Sequence, residues 1–199
     1  MPRIDAHLHV FTKASQEFPR EVSDRMPAER DESAEKLMEN MEAYGIDQAV
    51  LVQIGGTSYK EHAYLLDCLK RYPDKFRGIG LIPADITSPQ DHMDRLTDGA
   101  GLIGFRLNSI GGPRDPFAPI DIRTFDAYPI WKHAAENDYV LWVYLRARDA
   151  HLPAYMAEAF PQVRTVVNHL GVCPGEGKFW WDDLGRPQCE IPDYSPAYH

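Results

Sequence analysis

The first residues able to do chemistry are two histidines separated by one leucine, His7 and His9, closing an apolar run near the start of the chain. Side chains alternate along a strand, so Asp5, His7 and His9 share one face while Ile4, Ala6, Leu8 and Val10 share the other. The second set is apolar and suits a layer of covering helices. The first brings two imidazoles together on Cα atoms about 6.6 Å apart. From that spacing both rings can converge on one divalent ion at about 2.0–2.1 Å. A histidine pair on a strand is also commonly structural. What favours chemistry is its place at the C-terminal end of a strand, the face on which β/α barrels build active sites.

Other strand ends carry polar side chains. In the segment GFRLN, alternation puts Gly104, Arg106 and Asn108 on one face and Ile103, Phe105 and Leu107 on the other. A guanidinium inside a barrel requires an anion, either a substrate carboxylate held bidentately or a protein carboxylate in an internal ion pair. Asn108 and Gln53, the latter ending the second strand, are further substrate-binding candidates, Gln53 with a structural role as its alternative. Tyr144 sits near the end of the fifth strand, as a substrate hydroxyl or a core tyrosine with a satisfied OH. His169 ends the apolar run VVNHLG. His62, His92, His133 and His151 fall in helices or their approaches and are assigned no catalytic part.

The elements that must position these side chains recur as β/α units. The strands read as Arg3 to Val10, DQAVLVQIG, FRGIGLIP, LIGFRLN, YVLWVYL and VRTVVNHLG. Between them lie amphipathic segments: SAEKLMENMEAYG closed by Gly45, a helix with Ala63, Leu66, Leu69 and Lys70 at helical spacing stopped by Pro73, and a short helix with Ser88 as N-cap and Pro89 at its first position. Helices around TFDAYPIWKHAAEND and ARDAHLPAYMAEAF follow, Pro153 lying in the first turn of the second. The stretch from Phe18 to Asp31 is a polar loop rich in charge and proline. The final thirty residues read as loop throughout, with Trp180 and Trp181 free to wall a pocket or simply pack, and Asp182 and Asp183 solvated. The fold class is α/β, a TIM-barrel-like (β/α) fold, incomplete at about six β/α units. Residues 1–199 form a single domain that stops before a seventh and eighth strand, since a full barrel takes about 250 residues.

Composition narrows the partners. With 199 residues, 44% of them hydrophobic, the chain can bury a substantial core. Its 21 basic and 30 acidic residues, net −9, argue against nucleic acid. No stretch approaches the roughly 18 apolar residues of a membrane span. The three cysteines, Cys68, Cys173 and Cys189, are too scattered for a disulfide framework and read as reduced thiols in a cytoplasmic protein. An open six-strand barrel would expose two strand edges, so association into a homo-oligomer or with a complementing chain is expected.

The opening IDAHLHVF resembles the first strand of the amidohydrolase superfamily, in the branch containing 2-pyrone-4,6-dicarboxylate lactonase, sugar lactonases and aminocarboxymuconate-semialdehyde decarboxylase. VLVQ, FRGIGLI, GFRLN and VVNHLG follow in the family's order, so the resemblance runs to about Gly171. It implies that His7 and His9 are the first-strand pair and His169 the sixth-strand histidine, all three catalytic, or ligands if a metal is used. Tyr144 stands where metal-using relatives often carry a histidine, and the fourth strand shows no lysine or glutamate to bridge two ions. The resemblance thus implies a lactonase-like hydrolase needing no cofactor, in which Arg106 and Tyr144 hold a small carboxylated substrate. A single zinc or manganese ion on His7, His9 and His169, in a hydrolase or decarboxylase, is the alternative. A third reading is an inactive barrel remnant serving as a binding or assembly subunit. The family's eighth-strand aspartate, its usual general base, has no counterpart in this sequence.

Overall fold

The computed structural model describes all residues except 25, 100, 116, 146–148, 172–177, 185–186 and 191–199. Within it, β1 (Ile4–Leu8), β2 (Gln48–Val52), β3 (Phe76–Leu81), β4 (Leu102–Leu107), β5 (Val140–Val143) and β6 (Thr165–Val167) follow in chain order in one sheet. The registered pairs β1 with β2, β2 with β3, β3 with β4 and β5 with β6 are parallel. Parallel neighbours cannot be joined by a tight turn, so each connection has to cross back along the sheet. The helices α1 (Ala34–Tyr44), α2 (Ala63–Arg71), α3 (Pro89–Thr97), α4 (Tyr128–Asn137) and α5 (Leu152–Ala159) occupy those crossings. The fold is therefore α/β and TIM-barrel-like, with six of the eight strands of a complete barrel. The chain divides into two compact units, Met1–Arg106 and Leu107–His199.

In the first unit local sequence sets the helix ends. Ser33 precedes α1 and its hydroxyl accepts the Lys36 N–H at 3.4 Å, while Gly45 ends the helix at φ 63°, a left-handed conformation that glycine adopts without strain. Pro89 opens α3 as expected, but the Ser88 side chain makes no capping bond. Its carbonyl instead accepts the His92 N–H at 3.5 Å. In α2 the buried stripe is Tyr64, Leu65, Cys68 and Leu69, shifted from the face expected through Leu66 and Lys70. The shift follows from Tyr64: its hydroxyl accepts the Ala34 N–H at 3.0 Å, so its polar tip is satisfied while the ring packs inside. Burial lifts the Tyr64 phenol above its ordinary range and pushes the Cys68 thiol up to about 11. The sequence FRGIGL places glycine where helix and sheet meet, because a Cβ on Gly78 would stand 2.5 Å from Leu69 Cδ1.

The second unit packs around Phe125, Trp131, Leu141, Leu152 and Met156, each at most 2% exposed. One expectation fails here. The last thirty residues are not loop throughout: β7 (Lys178–Trp181) and β8 (Pro187–Glu190) form an antiparallel hairpin, Trp180 opposite Gln188. Asp182, expected to be solvated, accepts the Leu184 N–H at 3.0 Å and the Gln188 amide at 3.2 Å across that hairpin. Four-residue strands are too short to show an alternation period. Cys173 lies outside the described residues. Among the described residues no helix is long and apolar enough to cross a membrane. The two outer strands are exposed, Ile4 on β1 at 53% and Val167 on β6 at 58%.

The end of β3 is held by two histidines that sequence left without a role. His62, fully buried, donates Nδ1–H to the Ser58 carbonyl at 2.8 Å and accepts the Leu81 N–H on Nε2 at 2.9 Å. His92 donates Nε2–H to the Leu81 carbonyl at 3.0 Å, and the two rings meet edge to face at 5.9 Å. The backbone of one residue, Leu81, is thus gripped at both its donor and its acceptor. Burial pulls the His62 pKa down to about 4, helped by the neighbouring His92 charge and opposed by the Ser58 bond and Glu61. Because the folded value lies below the unfolded one of about 6.5, the unfolded chain binds more protons between those values. Stability is therefore full above about pH 6.5 and falls as pH drops toward 4, by on the order of 3 kcal/mol. His62→Gln is expected to lower stability by about 1–3 kcal/mol at neutral pH and to flatten that pH dependence, read by urea denaturation at a series of pH values. A slope unchanged in the variant would assign the acid loss to other groups.

Candidate active site

The strand that carries the histidine pair is not regular. Ile4 and Asp5 pair with Gln48 and Ala49, but Leu8 pairs with Leu51, so β1 holds one residue more than β2 between those points. This is a β-bulge, and Asp5 supports it by accepting the His7 N–H on its own carboxylate at 3.1 Å. Strict alternation, with Asp5, His7 and His9 on one face, is therefore broken inside the strand. The bulge re-aims the pair: the rings of His7 and His9 lie 5.2 Å apart, nearly perpendicular at 85°. His9, just past the strand, bonds through Nδ1 to the Val52 carbonyl at 2.8 Å. A carbonyl only accepts, so Nδ1 carries the proton and the neutral ring keeps its lone pair on Nε2. In that tautomer Nε2 is the basic atom of the ring.

Two more candidates lie in the same unit. Gln53, buried at the end of β2, donates its amide to the carbonyls of Ile54 at 2.9 Å, Gly56 at 3.3 Å and Glu61 at 2.9 Å. Its nitrogen is engaged in shaping the turn before α2. Arg106 is half-buried near the end of β4, in register with Leu81, while Phe105 is buried.

The second unit holds the rest. Asn108 is exposed just beyond β4. Tyr144 follows β5, its N–H donating to the Leu107 carbonyl at 2.9 Å, and its ring meets that of His169 edge-on at 5.1 Å. His169 is exposed in a 3-10 turn, Asn168–Gly171, at φ 52°, a left-handed conformation uncommon for a residue other than glycine. Such strain concentrates at functional positions. Beside it is a residue that sequence reading passed over. Asn168 is 3% exposed, and both ends of its carboxamide lack a hydrogen-bond partner among the described residues. Its only sequence signal is a polar residue closing an apolar run.

The donor set bears on a metal. His7 and His9 offer two imidazoles, one with its second nitrogen anchored on a carbonyl as metal-binding histidines are. Among the described residues, however, no group of three or more His, Cys, Asp or Glu side chains is gathered to hold an ion. The described residues therefore do not make up a complete metal set.

The carboxyl ends of parallel strands, where these candidate side chains lie, are where β/α barrels carry their active sites. The chain belongs to the amidohydrolase family, whose model, described as Amidohydrolase, matches residues 4–187. The sequence has no significant match among curated proteins. Among solved structures it resembles a probable 2-pyrone-4,6-dicarboxylic acid hydrolase from Acinetobacter baumannii with citric acid bound, at 21% identity and TM-score 0.60 over 100% of this chain and 64% of that one. It also resembles an amidohydrolase from Burkholderia multivorans with bound zinc, at 21% identity and TM-score 0.59 over 86% and 58% of the two chains. A dihydroxybenzoic acid decarboxylase from Polaromonas sp. JS666, with bound manganese and 2-nitroresorcinol, matches at 14% identity and TM-score 0.57 over 85% and 66%. The chain thus spans less than two thirds of the length of these structures.

Burying an unpartnered amide costs about 1–3 kcal/mol, and a leucine of similar shape removes that cost. Asn168→Leu is accordingly expected to raise stability by about 1 kcal/mol or more in chemical denaturation. A destabilised variant would show that the amide is satisfied in solution.

Proposed function

We propose that the protein hydrolyses a lactone or related ester of a small carboxylated substrate. The observation that carries this reading is the pairing of Tyr144 with His169 at the ends of β5 and β6. A phenol there is a neutral hydrogen-bond donor suited to a carboxylate or carbonyl oxygen. Arg106 supplies the planar, permanently charged fork that recognises carboxylates. The likeness to a hydrolase of a cyclic dicarboxylate, with a tricarboxylate bound, supports the same substrate class.

In this reaction water adds to the acyl carbon, the ring C–O bond breaks, and the departing alkoxide takes up a proton as a carboxylic acid forms and ionises. His9, with its Nδ1 proton fixed on Val52, offers Nε2 to receive the proton from water. Tyr144 and Arg106 bind and orient the substrate. Stabilising the developing oxyanion falls to His7, whose ring lies beside that of His9.

A second reading has support of its own. The imidazole pair of His7 and His9, the second anchored on the Val52 carbonyl, and the zinc and manganese of two similar structures favour a hydrolase or decarboxylase using a single divalent ion. That ion would supply Lewis-acid polarisation of the substrate. Assaying 2-pyrone-4,6-dicarboxylate and simpler carboxylated lactones, before and after exhaustive chelation, separates the two. The leading reading expects undiminished turnover after chelation and a fall of about ten-fold or more in kcat/KM for Tyr144→Phe. Turnover that returns only with zinc or manganese would replace it with the second.

A further inference from the structure

The described residues of the segment between β1 and α1 form no helix or strand, yet they are tied together by hydrogen bonds. Its ends are clasped by a reciprocal backbone pair, Phe11 N–H to the Glu32 carbonyl at 2.9 Å and Glu32 N–H to the Phe11 carbonyl at 2.8 Å. Loops of more than about fifteen residues are uncommon in compact domains, and ordered ones are usually functional. Inside it stands Arg20. Its guanidinium donates to the carbonyls of Thr12, Glu21, Met26, Pro27, Ala28 and Arg30, at 2.7 to 3.2 Å. Among the described residues no carboxylate pairs with it. Its N–H donors are spent on backbone oxygens.

Two further contacts fix where the loop goes. Phe11 lies between two guanidinium groups, Arg20 at 5.2 Å and Arg30 at 5.3 Å from its ring centre. The Glu21 N–H donates to the Gly55 carbonyl at 2.6 Å, and a Cβ on Gly55 would meet Arg20 Cβ at 3.2 Å. Gly55, at φ 78°, lies in the turn after β2 that Gln53 shapes. The loop therefore leaves the chain two residues after His9 and comes to rest beyond the end of the neighbouring strand.

We propose that Arg20 is a positioning residue that locks this loop as a prebuilt wall over the His7 and His9 pair. The idea rests on reading that pair as part of the site, and the wall would limit which substrates reach it. A guanidinium is needed because no other side chain presents five N–H donors in a plane to oxygens arrayed around it.

Two measurements on the purified protein test this without using turnover: trypsin cleavage after Lys13 and Arg30, and the rate at which diethyl pyrocarbonate modifies His7 and His9, each read by peptide mass spectrometry with His133 on α4 as internal reference. Arg20→Gln is expected to raise both rates about ten-fold. Free guanidinium at non-denaturing concentration should reverse the rise, and Arg20→Lys, with fewer donors, should fall between. Circular dichroism reports folding, and if the glutamine variant does not fold, the lysine variant carries the comparison. Faster cleavage with unchanged histidine modification would mean that the loop shields nothing, and unchanged cleavage would mean that Arg20 does not hold it. Either result overturns the proposal. A chain found to hydrolyse no lactone would end the hydrolase reading while leaving these two rates to decide the role of Arg20.

Discussion

Every strand of a parallel sheet ends with backbone groups that its neighbour no longer pairs, and buried groups of that kind must find partners or cost about 1–3 kcal/mol each. In the first unit side chains meet this demand at the ends of adjacent strands. His9 donates to Val52, Gln53 to the carbonyls of Ile54, Gly56 and Glu61, and His62 and His92 take the N–H and the carbonyl of Leu81. The place where chemistry is expected in a β/α barrel is thus also the place where the sheet most needs polar side chains for its own sake.

That coincidence sorts the histidines by what their second nitrogen does. His62 has both nitrogens bound to backbone and is pulled toward neutrality by burial, so it serves structure alone. His9 uses one nitrogen on backbone, and the anchoring fixes which atom of the ring is basic. His169 is placed differently, by a left-handed backbone conformation and an edge contact with Tyr144. Residue type alone does not distinguish these roles. The partner of each ring nitrogen does.

The strands were legible because each is a short run of branched and aromatic residues bounded by glycine, proline or charge, and the six came in the right order. Gly45 and Pro89 were legible for equally local reasons, one a helix stop and the other a helix start. The missed features depend on partners distant in sequence or on unit lengths too small to show a period. The bulge in β1 is visible only against the register of β2. Tyr64 belongs in the core only because Ala34, thirty residues earlier, donates to its hydroxyl. The β7–β8 hairpin is built from four-residue strands with a proline at one end. Asn168 and Arg20 look like ordinary polar residues until burial and bonding are counted. Of the candidate side chains, the nearness of His7 and His9 was suggested by their spacing, but the bulge that aims their rings was not, nor was the commitment of the Gln53 amide nitrogen to backbone.

The loop between β1 and α1 is engaged by Arg20 through its backbone. The carbonyl groups that Arg20 engages are present whatever residues bear them, so this part of the loop's support is written at one position. Substitutions along its rim can then accumulate while the scaffold beneath stays put. Such a loop is a surface on which selectivity can drift from one descendant to the next without the barrel having to be rebuilt.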